Sequence, residues 1–174
     1  MGTIVKPGML VTYNVAVSVL AVSEARLKAR PDDREMIGQQ VDYREGERGI
    51  LDGMNYEFRQ ALDGMAVDEI KSIVCQYPEW QAESVVVLPF SVLAEHTDDL
   101  APGSVIGVDL LKDKVKIDEF DTELEVIQIR EQKGQRFVVC DSNEWHAGLK
   151  VRYDLEVIEV RKPTEEELRI EALS

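Results

Sequence analysis

Met9-Leu-Val-Thr-Tyr-Asn-Val-Ala-Val-Ser-Val-Leu-Ala-Val22 is the stretch on which the fold class turns. Val11, Tyr13, Val15, Val17 and Val19 recur at every second position, the period of a strand with one face buried. A matching alternation closes the chain. From Lys150 to Val160, the residues Val151, Tyr153, Leu155 and Val157 alternate with Arg152, Asp154 and Glu156. Strands with one wet face belong to antiparallel sheets, because parallel sheets are covered on both sides.

Between these two stretches, residues 23–49 are charged and interrupted by Pro31, Gly38, Gly46 and Gly49, which predicts a long flap with at most short strands around Met36 and Tyr43. Gly53 to Leu62 reads as a helix with Gly64 in the left-handed position after its end. Val67 to Cys75 reads as the next strand. After Pro78 come a Val/Leu run at 85–88, a short helix from Phe90 to His96, and strands over Val105–Leu111, Val115–Ile117 and Glu123–Arg130. Lys133-Gly134 is a hairpin turn into Arg136–Cys140. Thr164 and Glu167 form a capping box for a terminal helix, Glu165 to Leu173. This order has no fixed-period repeat and no parallel crossover rhythm, so the expected class is α+β with antiparallel sheets.

The chain has 174 residues, enough for one medium or two small domains and for a core that needs neither metal nor disulfide. With 34 Asp plus Glu against 20 Lys plus Arg it carries a formal charge of -14. That field repels phosphate backbones and anionic lipid, so no nucleic acid and no membrane are expected as partners. The longest apolar stretch, Val11–Val22, is too short and too interrupted to cross a bilayer. Met1-Gly-Thr-Ile-Val-Lys6 is no secretory leader, and a cytoplasmic protein is expected. Cys75 and Cys140 make neither a disulfide framework nor a zinc site, and His96 and His146 have no partner at ligand spacing. No nucleophile elbow, phosphate loop or dinucleotide fingerprint occurs. No cofactor and no metal are therefore expected, and any enzyme chemistry here has to rely on pocket shape more than on titrating groups.

Two segments narrow the field: Gly49-Ile-Leu-Asp-Gly-Met54 with Ala61-Leu-Asp-Gly-Met65, and Asp141-Ser-Asn-Glu-Trp-His-Ala-Gly148 running into Tyr153-Asp-Leu-Glu-Val-Ile-Glu-Val-Arg161. Together with Tyr77-Pro-Glu-Trp80 and Leu88-Pro-Phe-Ser-Val-Leu93, they resemble FKBP-type peptidyl-prolyl cis-trans isomerases of the SlyD-like branch. The resemblance implies an antiparallel half-barrel with a central helix, formed by residues 1–80 and 141–174. It also implies a β-rich insert-in-flap domain over residues 82–139, and it places Cys75 and Cys140 near the connectors between the two.

Prolyl isomerisation fits a chain without catalytic titrating groups, since an X-Pro amide turns over without a proton or covalent step and responds to an apolar site that favours its twisted form. By resemblance, Ile50 and Leu51 are the apolar pair whose backbone meets the substrate. Tyr13, Tyr43 and Tyr153 are aromatic walls, and Trp80 stands in for a family tyrosine. Val86, Leu88, Phe90 and Leu93 are the insert's contacts for unfolded clients. Expected partners are unfolded or proline-containing polypeptides, basic ones above all. The sequence departs from the family at Ile37-Gly38, which lacks the usual carboxylate, at Gln81 in place of a glycine, and at Asn143-Glu-Trp-His-Ala-Gly148 in place of Asn-His-Pro-Leu-Ala-Gly. The family's metal-binding tail has no counterpart, so nickel delivery is not implied. These departures define the alternative of a noncatalytic holdase or adaptor. A generic acidic, β-rich interaction domain is the third reading.

Overall fold

The structure, a computed structural model, describes residues 2–91, 100–106 and 124–173. Among the described residues the strands are β1 (Leu10–Val22), β2 (Gln40–Ile50), β3 (Ile70–Gln76), β4 (Val85–Pro89), β5 (Val105–Ile106), β6 (Leu124–Gln132), β7 (Gln135–Asp141) and β8 (Leu149–Arg161). The helices are α1 (Glu24–Ala29), α2 (Tyr56–Leu62) and α3 (Glu165–Leu173), with short 3-10 turns between them. The class is α+β with two antiparallel sheets, ordered β2-β1-β8-β3 and β4-β7-β6-β5. Two compact units result: Met1–Val22, Arg34–Tyr77 and Leu149–Ser174 in one, Ser23–Asp33 and Pro78–Gly148 in the other.

In the first unit β1 and β8 form the middle of a curled half-barrel sheet. Val15 pairs with Leu155, Val17 with Tyr153 and Val19 with Val151, and each of these side chains is buried. Cross-strand partners project to the same face, so the two alternations lay down one apolar surface. Helix α2 packs against that surface through Ala61 and Leu62, which are buried, and Phe58, which is partly so. The helix is shorter than Gly53–Leu62. Leu51–Gly53 is a separate 3-10 turn, and Asn55 caps α2 by accepting from the Phe58 N–H at 2.9 Å. An Asx cap of this kind sets the helix start because it satisfies an amide that the first turn leaves unpaired.

The expected flap is more ordered than its composition suggests. Gln40–Ile50 is an eleven-residue strand, exposed along nearly its whole length. It lies at the sheet edge, where β1 supplies the hydrogen bonds on one side and water accepts the charged side chains. A strand of this sort has no hydrophobic period to read. Opposite Asn14 it bulges at Glu45-Gly46, where Gly46 has φ +71 and its N–H donates to Asn14 Oδ1 at 2.9 Å.

The second unit takes in more than residues 82–139. Ser23–Asp33, with α1, belongs to it, as do the segments flanking the insert. Ser23 caps α1, accepting from the Arg26 N–H. The Arg26 side chain is 4% exposed, and its guanidinium bonds Asp33 at 2.7 Å, the Trp145 carbonyl at 2.6 Å and the Ala147 carbonyl at 2.9 Å. Arg30 engages Asp33, both oxygens of Glu125, and Asp141. Leu88, Ile106, Leu124, Val126, Val138 and Cys140 form this unit's apolar core. Lys133 and Gly134 both have positive φ, the conformation of a type I′ hairpin turn, between the paired residues Gln132 and Gln135. In β6 a bulge between Val126 and Gln128 resets the alternation. Beyond Ile106, the strand expected over Val105–Leu111 lies outside the described residues, as do Val115–Ile117, Glu123, His96 and most of the helix expected over Phe90–His96.

Removing one member of a buried ion cluster leaves its partners charged and dry, which costs about 3–5 kcal/mol. Arg26→Ala is therefore expected to destabilise the second unit by that order. Urea unfolding followed by Trp80 fluorescence in a Trp145→Phe background measures it.

Candidate functional site

The inward face of the first unit's sheet carries a run of aromatic rings. Phe58, one turn before Leu62 on α2, stands edge-on to two tyrosines: its ring centroid is 6.1 Å from that of Tyr13 at 89° and 5.1 Å from that of Tyr153 at 76°. T-shaped contacts of this kind align a positive ring edge with a negative face. Tyr77, just after β3, places its hydroxyl 2.5 Å from the Tyr153 hydroxyl. Burial pushes the phenols of Tyr13, Tyr77 and Tyr153 upward, since a phenolate there would lose its water; Glu47 adds to the rise at Tyr13, and the Tyr153 hydroxyl to that at Tyr77.

Beside Tyr13 opens a cavity of about 420 Å³ lined by Tyr13, Arg48, Gly49, Gly53, Met54 and Glu171. Two glycines make room for it. A Cβ on Gly49 would approach the Met54 Cε to 3.0 Å, and one on Gly53 would collide with the Glu171 carboxylate. Asp42 and Arg44 of β2 bond each other at 3.1 Å and pair with the buried Val17 and Val15, so both fall on the inward face. The cavity itself, to which Asp42 and Arg44 do not contribute, is walled by an aromatic ring, a thioether and the opposed charges of Arg48 and Glu171.

Of the six residues expected to form one bowl, Tyr13, Tyr43, Ile50, Leu51 and Tyr153 lie in the first unit and Trp80 in the second. Tyr13 and Tyr153 sit together, 9% and 7% exposed, each against Phe58. Ile50 and Leu51 lie at the turn leading to the cavity with both side chains buried. The Leu51 N–H donates to the Met9 carbonyl at 3.1 Å, and its own carbonyl accepts from the Met54 N–H at 3.2 Å. Tyr43 pairs with Ala16, so it occupies the outward face, half exposed. Trp80 belongs to the second unit, where it is buried and its indole N–H donates to Asp141 Oδ2 at 2.8 Å.

Of the insert residues, Leu88 is in that unit's core, and Val86 and Phe90 pack against it. The Arg136 guanidinium lies over the Phe90 ring at 4.1 Å. Leu93 lies outside the described residues. Val87, Val105 and Trp145 are exposed apolar side chains of this unit.

Phe58 and Tyr77 were missed by sequence reasoning. Phe58 could have been found from its i, i+4 spacing to Leu62 on the helix's apolar side. Tyr77 stands in the Tyr77-Pro-Glu-Trp80 segment, in which the family resemblance points to Trp80 as the wall residue.

Cys75 and Cys140 are both free, one in each unit, and burial pushes the Cys140 thiol up to about 11. Among the described residues no group of three or more His, Cys, Asp or Glu side chains is placed to hold a metal ion. No helix among them is long and apolar enough to cross a membrane. No family model matches the chain, and no curated protein matches it significantly.

A phenol raised in the folded state ionises first in the unfolded chain, so its contribution to stability is complete below the ordinary tyrosine value of about 10 and is lost as pH rises through the folded value. The first unit is accordingly expected to lose stability above that pH. Tyr77→Phe should remove the latest-ionising phenol from an ultraviolet titration.

Proposed function

We propose that the chain is an FKBP-like peptidyl-prolyl cis-trans isomerase of the SlyD-like kind, acting as a folding helper on unfolded, proline-containing polypeptides. One observation carries the reading: the Tyr13–Phe58–Tyr153 ring cluster beside the Ile50–Leu51 turn, with a cavity opening at Tyr13. An aromatic surface with few water-accessible groups favours the twisted, less dipolar amide over the planar one, and it needs no proton transfer. The cavity next to Tyr13 offers a pyrrolidine ring an aromatic wall, with Met54 supplying a soft apolar contact. The second unit, in this reading, holds client segments and raises their local concentration at the ring cluster.

A second reading, a catalytically weak holdase or adaptor, has its own support. The N–H and carbonyl of Leu51 are both engaged within the fold, so the apolar pair has less backbone to offer a substrate. Tyr13 and Tyr153 also bury each other's surroundings through Phe58, which makes them core residues as much as walls.

Exchange NMR on X-Pro peptides, run beside refolding of a proline-limited protein, separates the two. The isomerase reading expects acceleration of both, with Tyr13→Ala lowering kcat/KM about 10-fold or more, the loss of roughly 1.4 kcal/mol of transition-state binding. Absence of acceleration together with suppressed client aggregation would establish the holdase.

A further inference from the structure

Helix α3 lies where it can close the Tyr13 cavity. Its first turn is fixed by a reciprocal capping box: the Thr164 N–H donates to Glu167 Oε2 at 2.7 Å, and the Glu167 N–H donates to Thr164 Oγ1 at 3.2 Å. Arg161, the last residue of β8, binds both oxygens of the same carboxylate at 2.9 and 2.6 Å. One turn later, on the same side of the helix, Glu171 reaches the 3-10 turn at Gly53 and becomes part of the cavity wall opposite Tyr13 and Met54. Leu168 and Ile170 are exposed, 48% and 64%. These anchors are polar and the apolar side chains at 168 and 170 face solvent, which puts the helix at the low end of local stability.

We propose that α3 is an autoinhibitory strap: while Glu171 rests against Gly53 it excludes peptide from the Tyr13 cavity, and binding requires the helix to swing away on its Arg161–Glu167 anchor. The proposal rests on the peptide-binding reading above.

The closing experiment compares the full chain, Glu171→Ala, and a chain ending at Pro163, each checked for folding by thermal unfolding. The readouts are exchange-NMR isomerisation of an X-Pro peptide and peptide-induced shifts of the Gly53 and Met54 amides. Both variants are expected to gain about 3- to 10-fold in peptide affinity and kcat/KM, the factor released when a competent state populated at roughly 10–30% becomes fully populated. If the short chain misfolds, Glu171→Ala decides alone. Tighter binding at those amides without isomerisation would keep the strap and remove the isomerase. Unchanged or weaker binding in an active enzyme would remove the strap and keep the isomerase. No peptide binding at these amides in any form would overturn both.

Discussion

Leu10 pairs with Arg161 and Val22 with Leu149, and between these limits β1 and β8 run side by side through the middle of the first sheet. The other elements of that unit depend on this ladder. β2 and β3 each have only one described sheet neighbour and little buried surface, so they hold by adding to an existing edge. Helix α2 has seven residues, too few to persist alone in water, and it exists because β1 and β8 offer it an apolar surface. The ring cluster follows from the same pairing. Tyr13 and Tyr153 come from the two strands, and a single slip in register would turn one of them to the outside.

The second unit is organised by charge where the first is organised by an apolar ladder. Arg26 and Arg30, one turn apart on the segment between β1 and β2, meet Asp33, Glu125 and Asp141. Asp141 is almost fully buried, and besides Arg30 it accepts from the Trp80 indole and from Asn143. Satisfied on every side, such a cluster specifies partners more than it adds net stability. It explains why a stretch from the first third of the sequence belongs to a unit built otherwise from residues 78–148.

The α+β class, β1, β8, the Lys133-Gly134 turn and the Thr164–Glu167 capping box were legible because each is encoded locally, by alternation, by left-handed turn residues or by a spacing of three. β2 was not legible, since an edge strand of Arg, Glu and Asp presents the composition of a loop. Nor was α1's membership of the second unit, which arises from Arg26 reaching carbonyls more than a hundred residues away. The site was legible in part. Alternation placed Tyr13 and Tyr153 on a buried face, but only the β1–β2 register sends Tyr43 outward, and only the Asp141 carboxylate draws Trp80 into the other unit.

The pairing of Leu10 with Arg161 also sets an order of events during synthesis. The chain emerges from its N-terminus, so β1 must wait for its second sheet neighbour until residues 149–161 have been made. By then residues 78–148 have already appeared, and with Ser23–Asp33 they hold everything the second unit requires. That unit can close first and draw together Ser23 and Gly148, whose N–H and carbonyl meet at 2.8 Å, after which β8 has a far shorter search for β1.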